Sequence, residues 1–277
     1  MVIHVLAKNT EESVSFLDQL LSIGDQELST GDALRAIEYY EKGVKYISSS
    51  PESLVSSLSL YTNLGTAYST LGSEENALAA YQEALNLHSI GIHNIQKYET
   101  KKMVNDLAAQ ASFYQGMIYQ DSGEVQKAVE SYQYAFNLDP LNWASMANLG
   151  SVLQDKLKKY SEALQVYQKA YEILTVSKTE PTDLPTQEDM PLILSNLQYY
   201  IGLCITYAEK QKCVMEDNPN KEVPCSEMAA HAFDRAIKLN PDNEAAQHML
   251  AAVTADATFL RASNTYVKQL FEDYAEK

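Results

Sequence analysis

The side chains able to do chemistry are few and scattered. The five histidines, His4, His88, His93, His231 and His248, form no HExxH pattern and flank no nucleophile motif. His88 and His93 stand five apart, off the spacing that puts two side chains on one helical face, and read as solvated turn residues. The three cysteines, Cys204, Cys213 and Cys225, include no CxxC pair and have no histidine at ligand spacing. They are too few for a disulfide framework and suggest a reducing compartment, with a zinc or redox role as the minor alternative. Carboxylate pairs such as Glu11-Glu12 and Glu74-Glu75 fall where helix N-termini are expected, and the macrodipole accounts for them there. No GxGxxG or phosphate-cradling loop occurs. These residues predict no catalytic, metal or cofactor site within the chain.

The elements that position side chains are far better marked. Gly65, Ala77, Tyr81 and Ala84 stand at offsets 0, 12, 16 and 19. Gly24, Ala36, Tyr40 and Gly43 repeat that spacing, as do Gly116, Ala128, Tyr132 and Ala135. A fourth copy, Gly150, Ala163, Tyr167 and Ala170, is one residue longer between its halves; a fifth, Gly202, Ala229, Phe233 and Ala236, carries a long insertion. Small-large-small residues four and three apart share one helical face, where the ring fills the gap to a neighbouring helix. Polar turns at 29–32, 71–75 and 121–124 supply stop and start signals. A period of this length marks an all-α solenoid of stacked helical hairpins.

Segments 58–91 (Tyr61, Leu64, Gly65, Tyr68, Ala77, Tyr81, Ala84) and 109–142 (Gly116, Tyr119, Ala128, Tyr132, Ala135, Pro140) resemble the tetratricopeptide repeat (TPR) family. The resemblance implies a right-handed superhelical solenoid of about five hairpins over 1–257, with extra terminal helices. Helical pairs are expected at 13–50, 54–95, 100–139, 143–176 and 191–240, with a further helix near 243–257. Tyr40, Tyr81, Tyr132, Tyr167 and Phe233 should lie buried between them. Three irregular stretches interrupt the repeat. Residues 92–108 read as lengthened flanking helices, 175–191 with Pro181, Pro185 and Pro191 as a connector, and 209–227 as a loop inside the fifth hairpin.

Such a solenoid offers a concave face built by the first helix of each hairpin. Helical projection places Thr62, Asn63, Thr66, Phe113, Tyr114, Met117, Ala147, Asn148, Ser151, Asn196, Tyr199 and Tyr200 there. Asn63 and Asn148 are equivalent, and an amide carries both donor and acceptor. Family analogy implies that such asparagines grip the backbone of an extended peptide. The expected partner-binding residues are Asn63, Tyr114, Asn148, Asn196 and Tyr200. The rings admit a second reading, as packing between repeats. The basic clamp of chaperone-binding relatives is missing, because Leu21, Asp25, Thr62, Gln110 and Tyr114 stand at its positions. A basic or aromatic-apolar segment of a protein partner suits this face better.

The 37 acidic against 21 basic residues argue against a nucleic-acid surface, which needs basic stripes. No stretch reaches the roughly eighteen apolar residues of a membrane span, and Met1–Leu6 is too short for a signal-peptide core. A cytoplasmic or nuclear location is expected. At 258–277, Tyr266-Val267 and Leu270–Ala275 resemble the phrase that opens the catalytic domain in TPR-containing methyltransferases. That resemblance implies the N-terminal recognition region of an S-adenosylmethionine-dependent enzyme, its cofactor site outside this chain. A free-standing adaptor or assembly factor is the alternative.

Overall fold

The computed structural model describes residues 2–47, 53–176, 185–208, 212–215 and 218–254. Its helices are α1 (Val2–Ser29), α2 (Ala33–Val44), α3 (Leu54–Thr70), α4 (Glu74–Gly91), α5 (Tyr98–Asp121), α6 (Val125–Leu138), α7 (Trp143–Ser151), α8 (Tyr160–Thr175), α9 (Met190–Tyr207), α10 (Cys225–Leu239) and α11 (Glu244–Thr254). One compact unit ends at Ser145 and a second begins at Met146. The helical-hairpin architecture is the expected one, and among the described residues the short strands β1 (Lys212–Met215) and β2 (Asn218–Pro224) depart from it.

Each of the first three hairpins turns on a glycine in the left-handed region. Gly31, Gly72 and Gly123 have φ of 89°, 70° and 77°, a conformation that costs a side chain energy and glycine nothing. The amides of Asp32, Ser73 and Glu124 reach back five residues to Glu27, Tyr68 and Tyr119 and close the helix ends. Asp32 then caps α2 by accepting from the Arg35 amide at 3.1 Å. In the fourth hairpin the turn residue is Lys158, at φ 54°. There the Lys159 amide reaches back six residues, to Leu153. Residues Val152–Lys156 form a π-helical turn, which absorbs the extra residue of the fourth repeat.

The packing follows from the repeated spacing. Tyr40, Tyr81, Tyr132, Tyr167 and Phe233 are at most 1 % exposed. Each ring lies against the glycine of its own hairpin. A Cβ on Gly24, Gly65, Gly116, Gly150 or Gly202 would fall 2.4–2.7 Å from a ring carbon, closer than atoms pack. The small residues beside the rings, Ala36, Ala77, Ala128, Ala163 and Ala229, are fully buried.

Several expectations are corrected. Residues 92–108 do not simply lengthen two helices. A 3-10 turn at Ile92–Asn94 ends α4, and α5 restarts at Tyr98 after the extended Ile95. Glu11 and Glu12 lie inside the long helix α1 rather than at its N-terminus, whereas Glu74 and Glu75 do open α4. His88 is buried rather than solvated, and its Nε2 meets Asn105 Oδ1 at 3.0 Å. The partner sits on the next helix, so local spacing gave no sign of it.

Within the 209–227 insertion, expected as a loop, the described strands β1 and β2 pair with each other. Their antiparallel register sets Cys213 opposite Val223 and Val214 opposite Glu222, and a bulge follows Val214. Cys213 and Cys225 are joined by a disulfide, which ties β1 to the first residue of α10. The pairing removes the ground on which the cysteines suggested a reducing compartment. Cys204 remains a buried free thiol. Alkylation of the unfolded, unreduced chain is therefore expected to label one cysteine, Cys204, by peptide mass spectrometry. Labelling of all three would contradict the bridge.

Candidate partner-binding face

In the first unit the expected face rests on α1, α3 and α5. Asn63, on α3, is half-buried and donates from Nδ2 to Asp25 Oδ1 at 2.7 Å. The Tyr40 hydroxyl donates to the same oxygen at 2.7 Å. One heptad earlier, Ser56 donates to Asp18 at 2.5 Å. Two exposed carboxylates on α1 thus accept from two side chains on α3 and stitch the helices together. One of the two Asn63 amide N–H donors is spent inside the protein, and gripping a peptide N–H falls to its carbonyl oxygen. Sequence reasoning had noted Asp25 only as a missing clamp base. Its role as acceptor depends on the Tyr40 hydroxyl fifteen residues away.

Tyr114, on α5, is half-buried and stacks on Tyr81 with ring centroids 5.7 Å apart and planes at 28°. Phe113 bridges Tyr114 to Tyr132 at 5.5 and 5.9 Å. Met117, one turn on, is exposed. These rings do pack between repeats while keeping an open edge. Burial raises the Tyr81 phenol to about 12, against the opposing hydrogen bond with Thr66 and with a smaller push from Tyr114.

In the second unit Asn148 is half-buried on α7, and Asn196 is exposed on α9. Tyr200, one turn after Asn196, stacks on Tyr167 at 5.3 Å with planes 14° apart. Tyr199 bridges Tyr200 to Phe233 at 5.4 and 6.0 Å. Tyr114 and Tyr200 hold the same place, two residues before the packing glycine. Each stacks on the ring of the preceding repeat. Asn63 holds that place too and reaches the preceding repeat through Asp25. Asn148 completes the set.

Beside Tyr200 lies a polar cluster that the helical projection missed. Gln154, in the π-turn, is 8 % exposed and accepts from the Cys204 thiol at 3.3 Å. Burial first, then the Asp155 charge, lifts that thiol to about 12, so it stays protonated and donates. The Gln154 amide donates to Asp155 Oδ1 at 3.1 Å. The signal for this cluster was the single extra residue of the fourth repeat. Elsewhere, a cleft of about 600 Å³ at the start of α8 is lined by residues such as Lys158, Tyr160 and Tyr207, and by none of the expected face residues. Among the described residues no group of three or more His, Cys, Asp or Glu is placed to hold a metal ion, and no helix is long and apolar enough to cross a membrane.

The tetratricopeptide repeat family matches this chain at residues 58–88 and again at 113–175. No curated protein matches. Among solved structures, BtubC from P. vanneervenii superposes with a TM-score of 0.58 at 16% identity, covering 86% of this chain and 85% of that one. A tetratricopeptide repeat protein from Parabacteroides merdae gives 0.55 at 16% identity, over 95% of this chain and 80% of its own. YrrB, described as a TPR protein with an unusual peptide-binding site, gives 0.53 at 17% identity, over 87% and 95%. At these identities the likeness speaks for the fold alone.

Proposed function

We propose that this chain of tetratricopeptide repeats is a protein-binding module, holding an extended segment of a partner against the first helices of its hairpins. One observation carries the reading. The place two residues before the packing glycine bears Asn63, Tyr114, Asn148 and Tyr200, all amides or rings with a half-buried to exposed surface. Rings already held face to face by a neighbour lose little freedom when a ligand settles on them. The carboxylates of Asp18 and Asp25 favour a basic segment over an acidic one.

The Asn63→Ala, Asn148→Ala double variant tests it. It is expected to stay folded by circular dichroism. Each lost amide contact should weaken partner binding by about 0.5–1.5 kcal/mol. Quantitative pull-down against the parent protein reads the effect, and unchanged recovery of every partner would move the binding surface elsewhere.

The phrase at 266–275 favours a second, narrower reading, as the recognition arm of an S-adenosylmethionine-dependent methyltransferase. That phrase lies outside the described residues. A Gly-rich strand–turn–helix unit encoded past Lys277 would support this reading, and a stop codon there would support a free-standing adaptor or assembly factor.

A further inference from the structure

The fourth hairpin departs from its neighbours in two linked ways. Its extra residue is taken up as the π-turn Val152–Lys156, a feature that recurs at functional sites. It is also the hairpin whose packing phenol has no partner. Tyr40 donates to Asp25, Tyr81 meets Thr66 at 3.2 Å, and Tyr132 donates to Gln120 at 2.9 Å. Asp25 and Thr66 each follow their packing glycine directly. The corresponding Ser151 instead points its hydroxyl along the helix to Asp155 Oδ2, at 3.4 Å. The Tyr167 hydroxyl is buried with no hydrogen-bond partner. A buried hydroxyl in that state is costly, and in a native protein it calls for an explanation.

The groups around that hydroxyl are specific. Cys204, Tyr200 and Asp155 lie close enough for their charged forms to act on it. Tyr200, 37% exposed, stacks on the ring that bears it. Asp155 is exposed, and it shares a helical face with Ser151 and, one turn earlier, Asn148. Its two oxygens accept only long or neutral contacts, from Ser151 and Gln154. Among the described residues no lysine or arginine pairs with it. The Cys204 thiol and the Gln154 amide are already committed to each other. What remains is one uncompensated carboxylate, an aromatic face with a hydroxyl at its edge, and a second phenol oxygen behind it.

We propose that Asp155, Tyr200 and Tyr167 form a subsite for an arginine side chain of the partner segment. A guanidinium is planar, stacks on aromatic faces and carries five donors in a fixed fork. It would pair with the Asp155 carboxylate and lie against Tyr200, and with Tyr200 displaced to admit it would offer a donor to the otherwise buried Tyr167 oxygen. An ammonium group satisfies the carboxylate but lacks the flat face that the ring invites. This assignment rests on the partner-binding reading above and gives it a side-chain preference.

The experiment is an NMR titration of the full chain with N-acetyl-arginine-N-methylamide. The citrulline analogue, isosteric and neutral, and the lysine analogue serve as controls. Saturable shifts are expected at amides of 150–156 and 196–204, weakened about tenfold or more by Asp155→Asn through loss of the charged contact. The citrulline analogue should give none, and the lysine analogue weaker ones. Tyr167→Phe should weaken arginine binding while leaving thermal stability unchanged or raised, because the hydroxyl it removes is unpaired. A merely structural hydroxyl would not separate the two readouts. Equal shifts from citrulline, or an unaltered titration in Asp155→Asn, would overturn the subsite. Equal binding of the lysine analogue would overturn the guanidinium assignment. Partner recovery lost in the Asn63/Asn148 variant but kept in Asp155→Asn would reject this subsite alone, and recovery unaffected in both would reject the binding face as well.

Discussion

Replacing Tyr81 by alanine is expected to lower the stability of the protein by about 3–5 kcal/mol, the usual cost of removing a large ring from a packed core. The ring is 1 % exposed, fills the space left by Gly65, and supports Tyr114 by stacking. A loss of that size is a large part of the total stability of an ordinary domain, about 5–15 kcal/mol. Tyr81→Phe is the control. It keeps the ring and removes only the hydroxyl contact with Thr66, worth about 0.5–1.5 kcal/mol. Urea unfolding curves separate the two. An alanine variant within 1 kcal/mol of the parent, on the scale of ordinary surface substitutions, would mean that the rings do not carry the stack.

Alkali should unfold this protein by way of the same rings. Burial pushes the phenols of Tyr40, Tyr132 and Tyr167 well above their ordinary value of 10.0, and those of Tyr68 and Tyr81 up to about 12. At Tyr40 the carboxylate of Asp25 adds to the effect, and at Tyr68 that of Glu41 does so. The folded state therefore favours the neutral phenol. That contribution is fully present below pH 10, where phenols in the unfolded chain are still protonated. It is lost as the pH rises through the folded values, for Tyr68 and Tyr81 between pH 10.0 and about 12. For the deeply buried Tyr81 and Tyr167 the slope is about 1.4 kcal/mol per pH unit each. Tyr68 is more open to solvent, which screens its share. Melting temperature followed from pH 8 upward should fall steeply above about pH 10. Phenolate absorbance should rise together with the loss of helix. Stability that stays level while all tyrosines titrate in the folded protein would contradict the buried-phenol account.

How much of this could be read from the chain depends on the range of the interaction concerned. Gly65, Ala77 and Tyr81 act within one hairpin, so their spacing alone located the repeat core, the glycine turns and the buried tyrosine and phenylalanine rings among the described residues. Helical projection put Tyr114 and Tyr200 on one expected face, each taken by itself. That each would lean on the ring of the preceding repeat depends on how two hairpins stack, and no local spacing encodes it. His88 was misread for the same reason, since Asn105 lies across a helix break. Cys213 and Cys225 are twelve apart with two prolines between them. Their pairing depended on a β-hairpin whose register no alternation announced. The extra residue of the fourth repeat was visible, but a π-turn and a looser loop leave the same mark in a sequence.

The bridge between Cys213 and Cys225 changes what a break in the chain would mean. It closes a ring of covalent bonds around the β-hairpin, from the end of β1 nearest α9 to the start of α10. A protease cutting anywhere between those two cysteines would open the ring without dividing the molecule. Both pieces would remain one particle, with α9 still packed on α10 through Ser195, whose hydroxyl donates to the Ala236 carbonyl at 2.8 Å. The insertion can therefore be severed, or exchanged for another sequence between the same two cysteines, with the fifth hairpin still tethered across the cut.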